Sequence, residues 1–206
     1  MSHLTRMSIF ATAMSAFLIF MVSSHAYSRA SGTEVILEMQ PRDPRDFFLG
    51  YYSAIGTELS RMDIALLEGD HDFSAGDHIY VVLQEGDEGL WHPVSAHNRA
   101  PADPVFIHGM VFSSIEQNTD WQSVTDPGTG DTRNQQVDVF HLWVSSRFNI
   151  ENYYSNEESA RELDQLVRPG ENTNSPPRII LSISDNGNAI IKGIEVDGVR
   201  HINSLW

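Results

Sequence analysis

Hydrophobic residues fall into two patterns along this chain. Residues 7–22 form an uncharged, apolar run of sixteen positions after Arg6, with no polar face. Beyond it, short β-branched and aromatic stretches alternate with polar ones and are cut by glycine, proline and asparagine, which is the signature of strands and turns. Residues 33–39 read as a strand that stops before Pro41. Residues 51–62 read as a second long strand whose interior is broken by Gly56. Residues 63–76 read as a loop with one helical turn over 64–68. The clearest strand is 78–84, His-Ile-Tyr-Val-Val-Leu-Gln, closed by Glu85-Gly-Asp-Glu-Gly89 so that 90–95 pairs back as a hairpin. Residues 105–115 and 137–146 are two more strands, separated by a loop over 126–132 dense in turn formers.

One helix interrupts the strands. Ser155 and Glu158 form a capping box, Ala160, Leu163 and Val167 recur at helical spacing, and Pro169-Gly170 stops the run. After a linker over 171–177, residues 178–184 and 189–196 flank Asp185-Asn-Gly-Asn188, the strongest hairpin signal in the chain. No internal repeat occurs. These elements predict an all-β fold: a single sandwich- or barrel-like domain of about eight strands with one short helix, preceded by an N-terminal apolar segment.

The apolar segment gives an address. Residues 1–26 form a signal peptide or a single-span membrane anchor, and residues 27–206 form the exported domain. The run is shorter than the ~20 residues that span a bilayer comfortably. Ser24-His25-Ala26 offers small residues at the −3 and −1 positions of a cleavage site. In both topologies Arg6 stays inside and the domain faces the periplasm, either tethered to the inner membrane or free in that compartment.

Composition removes several function classes. With 13 basic and 28 acidic side chains, a formal charge of −15, the chain lacks the basic surface that nucleic-acid binding requires. Its acidity keeps an exported domain soluble and repels anionic head groups. It has no cysteine, so a disulfide framework, a thiolate metal site and a cysteine nucleophile are all excluded. The motifs of the common hydrolases, P-loop enzymes, zinc proteases and dinucleotide binders do not occur. No catalytic residue, cofactor or metal ligand is therefore assigned. Among nine histidines, the densest ligand cluster is Asp70-His71-Asp72 with Asp77-His78. Its spacing matches neither strand nor helix periodicity, and a solvated acidic loop explains it as well. His92, His97, His108 and His141 fall on or beside predicted strands and are expected to pack or to bond backbone. Trp91, Trp121, Trp143, Tyr153 and Tyr154 could build a binding surface, or fill a core.

A more specific signal lies at Pro41, Asp43, Pro44 and Arg45, followed by Gly50, Tyr52 and Ile55. This string resembles the GDYXXLXY family of bacterial membrane-anchored proteins, in which a P-x-D-P-R block precedes the name motif. The sequence departs from the family at Tyr51, where aspartate is usual, and at Thr57, where tyrosine is usual. The later order is also similar: a strand over 80–83, a hairpin at Trp91, a glycine-centred strand near Gly109, an aromatic stretch with a short acidic helix over 152–166, and the closing hairpin. The resemblance implies no enzymatic activity, no cofactor, and an accessory or binding role beside a polytopic membrane protein. The alternative is an envelope hydrolase acting on peptide or glycan without a recognisable motif. For the motif itself a structural role is expected, with Pro44 fixing a corner, Arg45 bonding carbonyls or Asp43, and Tyr52 pinning the next strand. The other reading has Asp43, Arg45 and Tyr52 line a ligand groove.

Overall fold

The computed structural model describes residues 3–40, 52–54, 56–102, 104–125, 132–154 and 175–202. Its first element, α1 (His3–Ser31), is 29 residues long. Within it, residues 5–31 are long and apolar enough to cross a membrane, with mean hydropathy 1.8. Large side chains such as Phe10, Phe20 and Val22 stand exposed along it.

Gly32 alone separates α1 from β1 (Thr33–Gln40). A Cβ at this glycine would lie 2.4 Å from Ser182 Oγ and 2.8 Å from the Ile183 carbonyl oxygen. Only glycine lets the helix end lie so close to the neighbouring strand. The end of α1 packs on β11 (Arg178–Ile183) and β12 (Ala189–Val196). The guanidinium of Arg29 donates to the Lys192 carbonyl at 3.0 Å.

β1 alternates as its sequence predicts, burying Val35, Leu37 and Met39 and turning Glu34, Glu38 and Gln40 outward. It pairs antiparallel with β11 from Thr33↔Ile183 to Glu38↔Arg178. β11 is buried on both faces, which its unbroken Ile-Ile-Leu run anticipates. The β11–β12 turn closes at Asn186-Gly187, where Gly187 takes φ +80°. β13 (Val199–Ile202) adds a strand that the sequence reading missed. Its signal was present in Asp197-Gly198, both left-handed with φ 48° and 79°, as in a tight hairpin turn. The resulting sheet runs β13-β12-β11-β1-β3.

The expected long strand over 51–62 is instead several short pieces: β2 (Tyr52–Ala54), β3 (Gly56–Thr57), a 3-10 turn (Glu58–Ser60) and β4 (Arg61–Asp63). The physical reason is a change of sheet. β3 pairs with β1, whereas β4 pairs with β9 (Thr132–Arg147) in the second sheet, so the chain must turn a corner between them. Leu59, fully buried, pins that corner. A second 3-10 turn, Ile64–Leu66, falls where one helical turn was expected. β10 (Asn152–Tyr154) pairs only with β2 among the described residues.

The second sheet has the order β4-β9-β8-β6-β7-β5, with β5 (Glu68–Gly69), β6 (His78–Glu85), β7 (Trp91–His97) and β8 (Phe106–Thr125). β6 and β7 form the expected hairpin. β8 begins and β9 ends near the expected places, but β8 runs on to Thr125 and β9 already starts at Thr132. The expected loop between them, over 126–131, lies outside the described residues. The two sheets share one core, in which Val35, Leu37, Ile179 and Leu181 meet Ile79, Val81, Ile107 and Val144. The fold is thus all-β, with thirteen strands among the described residues rather than about eight, because the corner and the turns carry strands of two or three residues. The helix expected from Ser155 lies outside the described residues.

Replacing Gly32 by alanine should destabilise the domain by ~1–3 kcal/mol, because the obstructing Ile183 oxygen is backbone and cannot rotate away. Thermal melting of the variant against the parent chain checks this.

Candidate functional site

Of the family motif, Pro41, Asp43, Pro44, Arg45, Gly50 and Ile55 lie outside the described residues. Tyr52 opens β2 opposite Tyr154 of β10. The chemistry-bearing residues that the fold does bring together come from distant parts of the chain, and they form three groups.

The first is Asp63 with His141. Asp63 ends β4 at the sheet-switching corner, and its side chain is only 6% exposed. Oδ1 accepts from the backbone N–H of Leu142 at 2.9 Å and of Ala65 at 3.2 Å. Oδ2 accepts a short hydrogen bond from His141 Nδ1, which fixes the imidazole tautomer. Burial acts to raise the Asp63 pKa, but the imidazole and the two backbone donors outweigh it and hold the carboxyl below its ordinary value. His141 stacks on Trp143, and the Arg61 guanidinium lies 4.8 Å from the Trp143 ring centroid. An aspartate orienting an imidazole through Nδ1 is the pairing used in general-base catalysis. Here, however, the carboxylate also caps the Ile64–Leu66 turn and holds β9, so the pair works as a latch between sheet corner and ribbon.

The second group is an ion network on the outer face of the first sheet. Lys192 donates to Glu34 at 2.6 Å, and Arg200 bridges Glu34 at 2.8 Å and Glu195 at 3.0 Å. Arg178 reaches Glu195 at 3.4 Å and Glu88 at 2.9 Å. Glu34, Glu88, Arg178, Glu195 and Arg200, with Trp91, line a shallow cavity of about 280 Å³. The hydrogen bond from Lys192, foremost, holds Glu34 below its ordinary pKa against the effect of burial. Such a paired, ionised carboxylate is poorly suited to act as a general acid near neutral pH. A second shallow depression of about 480 Å³ lies between Thr33, Pro104, Phe106 and Asp185, with no ionic pair across it among the described residues.

The third group is the histidines. The acidic loop does not gather around an ion. Asp70 accepts from Asn98 N–H at 2.9 Å, His71 reaches the Leu67 carbonyl, and Asp77 accepts from Ser74 N–H. No group of three or more His, Cys, Asp or Glu side chains among the described residues is placed to hold a metal. His78 instead meets His108 across two strands, with Nδ1 and Nε2 3.0 Å apart. Of the strand histidines expected to pack or to bond backbone, His108 and His141 pack, on the rings of Tyr80 and Trp143, whereas His92 pairs with Glu58 at 3.2 Å and His97 with Ser95 at 2.9 Å. The Ser95–His97 pair follows from i, i+2 spacing on one strand face, whereas the partners of His78 and His92 lie thirty or more residues away and only the fold brings them together.

The largest feature is the β8–β9 ribbon. β8 pairs with β6 only over Phe106–Met110, and β9 with β4 only over Trp143–Ser145. Beyond those contacts the two strands pair with one another out to Thr125↔Thr132. Twenty strand residues extend ~65 Å, well beyond the sheet that holds them. Ile115 and Phe140 are each more than half exposed near the base of this arm, and the exposed Phe112 ring lies under the Arg147 guanidinium. Trp91, by contrast, packs against the core, and Trp143 is half-buried.

Substituting Asp63 by alanine should cost about 2–4 kcal/mol at neutral pH, since two buried N–H donors and an imidazole lose their acceptor. Because the folded pKa is lowered, this contribution is complete above the ordinary aspartate value of 3.8 and is lost as pH falls through the lower folded value. The stability gap between parent and variant, followed by denaturant melts across pH, should therefore close only in strong acid.

No curated protein and no solved structure matches this chain. A family model described as GDYXXLXY protein matches residues 14–194, from within α1 through most of β12. The chain belongs to the GDYXXLXY protein family.

Proposed function

We propose that this chain is a non-enzymatic, membrane-tethered domain on the periplasmic face, acting as an accessory or binding partner of a polytopic membrane protein. The observation that carries the reading is the direct passage of α1 into β1 through Gly32, with Arg29 closed onto the Lys192 carbonyl. Twenty-two residues separate Arg6 from Arg29. At 1.5 Å per residue they span ~33 Å, close to the ~30 Å hydrocarbon thickness of a bilayer. The charged ends of that span then sit at the two interfaces, and the first sheet begins where the membrane ends. Cleavage after Ala26 would remove most of the helix and leave its last turn bonded to β12 without purpose.

A domain held in this way meets chiefly what lies in the same membrane. The ribbon offers a partner a long paired surface with apolar side chains at its base, a setting for extended recognition. The hydrolase alternative draws no support from the paired carboxylates or from Asp63, which is already committed to the fold.

Photo-crosslinking residues installed at Ile115 and Phe140 should trap one integral membrane protein in cells, whereas the same group at Glu38, on the opposite sheet, should not. Phe140→Asp should reduce that crosslink at Ile115 at least tenfold while leaving the melting temperature unchanged. Equal labelling at all three positions, or labelling only of soluble proteins, would contradict the proposal.

A further inference from the structure

We propose that His78, His108 and Met110 form a surface site for cuprous ion. On β6 and β8 the outward positions are His78 and Tyr80, His108 and Met110, while Ile79, Val81, Ile107 and Val111 are buried beneath them. The register sets His78 opposite Met110 and Tyr80 opposite His108. Cross-strand partners of this kind have Cβ atoms ~5 Å apart, so one thioether and two imidazoles share a small patch of one face.

The two imidazoles are already close to the spacing for a shared ion. Nδ1 of His78 and Nε2 of His108 are 3.0 Å apart, and an ion held at ~2.0 Å by each nitrogen in a trigonal set needs them about 3.5 Å apart, a small opening of two surface rings. Without the ion one ring donates to the other. Binding needs the donating ring to move its N–H to its other nitrogen through solvent, so that both facing nitrogens present lone pairs and no net proton is released. The site is also held in place. Tyr80 stacks on His108 at 4.7 Å with planes 12° apart, and the His108 backbone N–H donates to the Gly187 carbonyl at 2.8 Å.

The donor set selects the metal. No third His, Cys, Asp or Glu among the described residues joins the pair. The soft donor within the register is the sulfur of Met110, which is half exposed; Tyr80 lies with its ring stacked flat on His108. Two imidazole nitrogens and a thioether, without a carboxylate, form a soft three-coordinate set that suits copper(I) better than zinc or magnesium. The patch faces solvent, so an ion reaches it without any movement of the fold.

The test titrates the full chain in detergent micelles with cuprous ion presented as its bicinchoninate complex under ascorbate. One equivalent should be drawn from the chelator per chain. X-ray absorption of the loaded protein should show nitrogen and sulfur neighbours. His108→Ala should weaken binding at least about tenfold. Met110→Leu, which conserves volume and keeps the fold if the histidine variant does not, should weaken it and remove the sulfur signal. Failure to draw copper from the chelator, unchanged affinity in both variants, or stoichiometric displacement of copper by zinc would overturn the proposal.

Discussion

The architecture depends on β1. This strand continues the membrane-length helix, fills the first sheet beside β11, and ends beside β3 at the corner that carries the chain to the second sheet. Its inward side chains Val35, Leu37 and Met39 join the core shared by both sheets. Its outward Glu34 anchors the ion network through Lys192 and Arg200. One strand thereby couples anchor, core and outer face. The coupling is stiff because Gly32 is the only residue available to bend, and it is packed against β11.

From that strand outward, polar side chains serve mainly to fasten elements to one another. Asp63 joins the corner to β9, Glu195 joins β11 to β13 through Arg178 and Arg200, and Arg29 joins the helix to β12. Buried or half-buried polar groups with fixed partners specify a single arrangement, but leave little freedom for proton transfer. Apolar side chains nevertheless stand exposed at the base of the ribbon, among them Phe112, Ile115 and Phe140. The domain therefore has the character of a rigid mount that carries an extended arm. That character, more than any cleft, is what favours a binding role over a catalytic one.

Much of this was legible in the sequence where local rules dominate. β1, β6, β7, β11 and β12 lie close to their expected bounds, because alternation and Asn-Gly turn chemistry act over a few residues. The family was legible from Pro41 to Tyr52, and the family model covers most of the chain. The corner lies inside the single strand expected over 51–62, because an apolar, aromatic start runs on into Leu59 and Met62; the need to change sheets is a tertiary demand. The ribbon extends beyond the expected strands because residues 116–125 are polar apart from Trp121 and Val124, residues 132–136 are polar throughout, and neither stretch carries an alternating burial signal. The histidine partners were invisible for a different reason. His78 and His108 are thirty residues apart, and only the β6–β8 register brings them together.

The central claim is that the helix remains part of the working protein and holds the domain at the membrane. Mass spectrometry of the chain's own N-terminal peptides, after separating membrane from soluble envelope fractions, tests it most directly. The account predicts a membrane-bound chain that retains residues 7–22. A soluble chain beginning near Tyr27 would contradict it, since the contact between Arg29 and β12 would then have no anchor to hold.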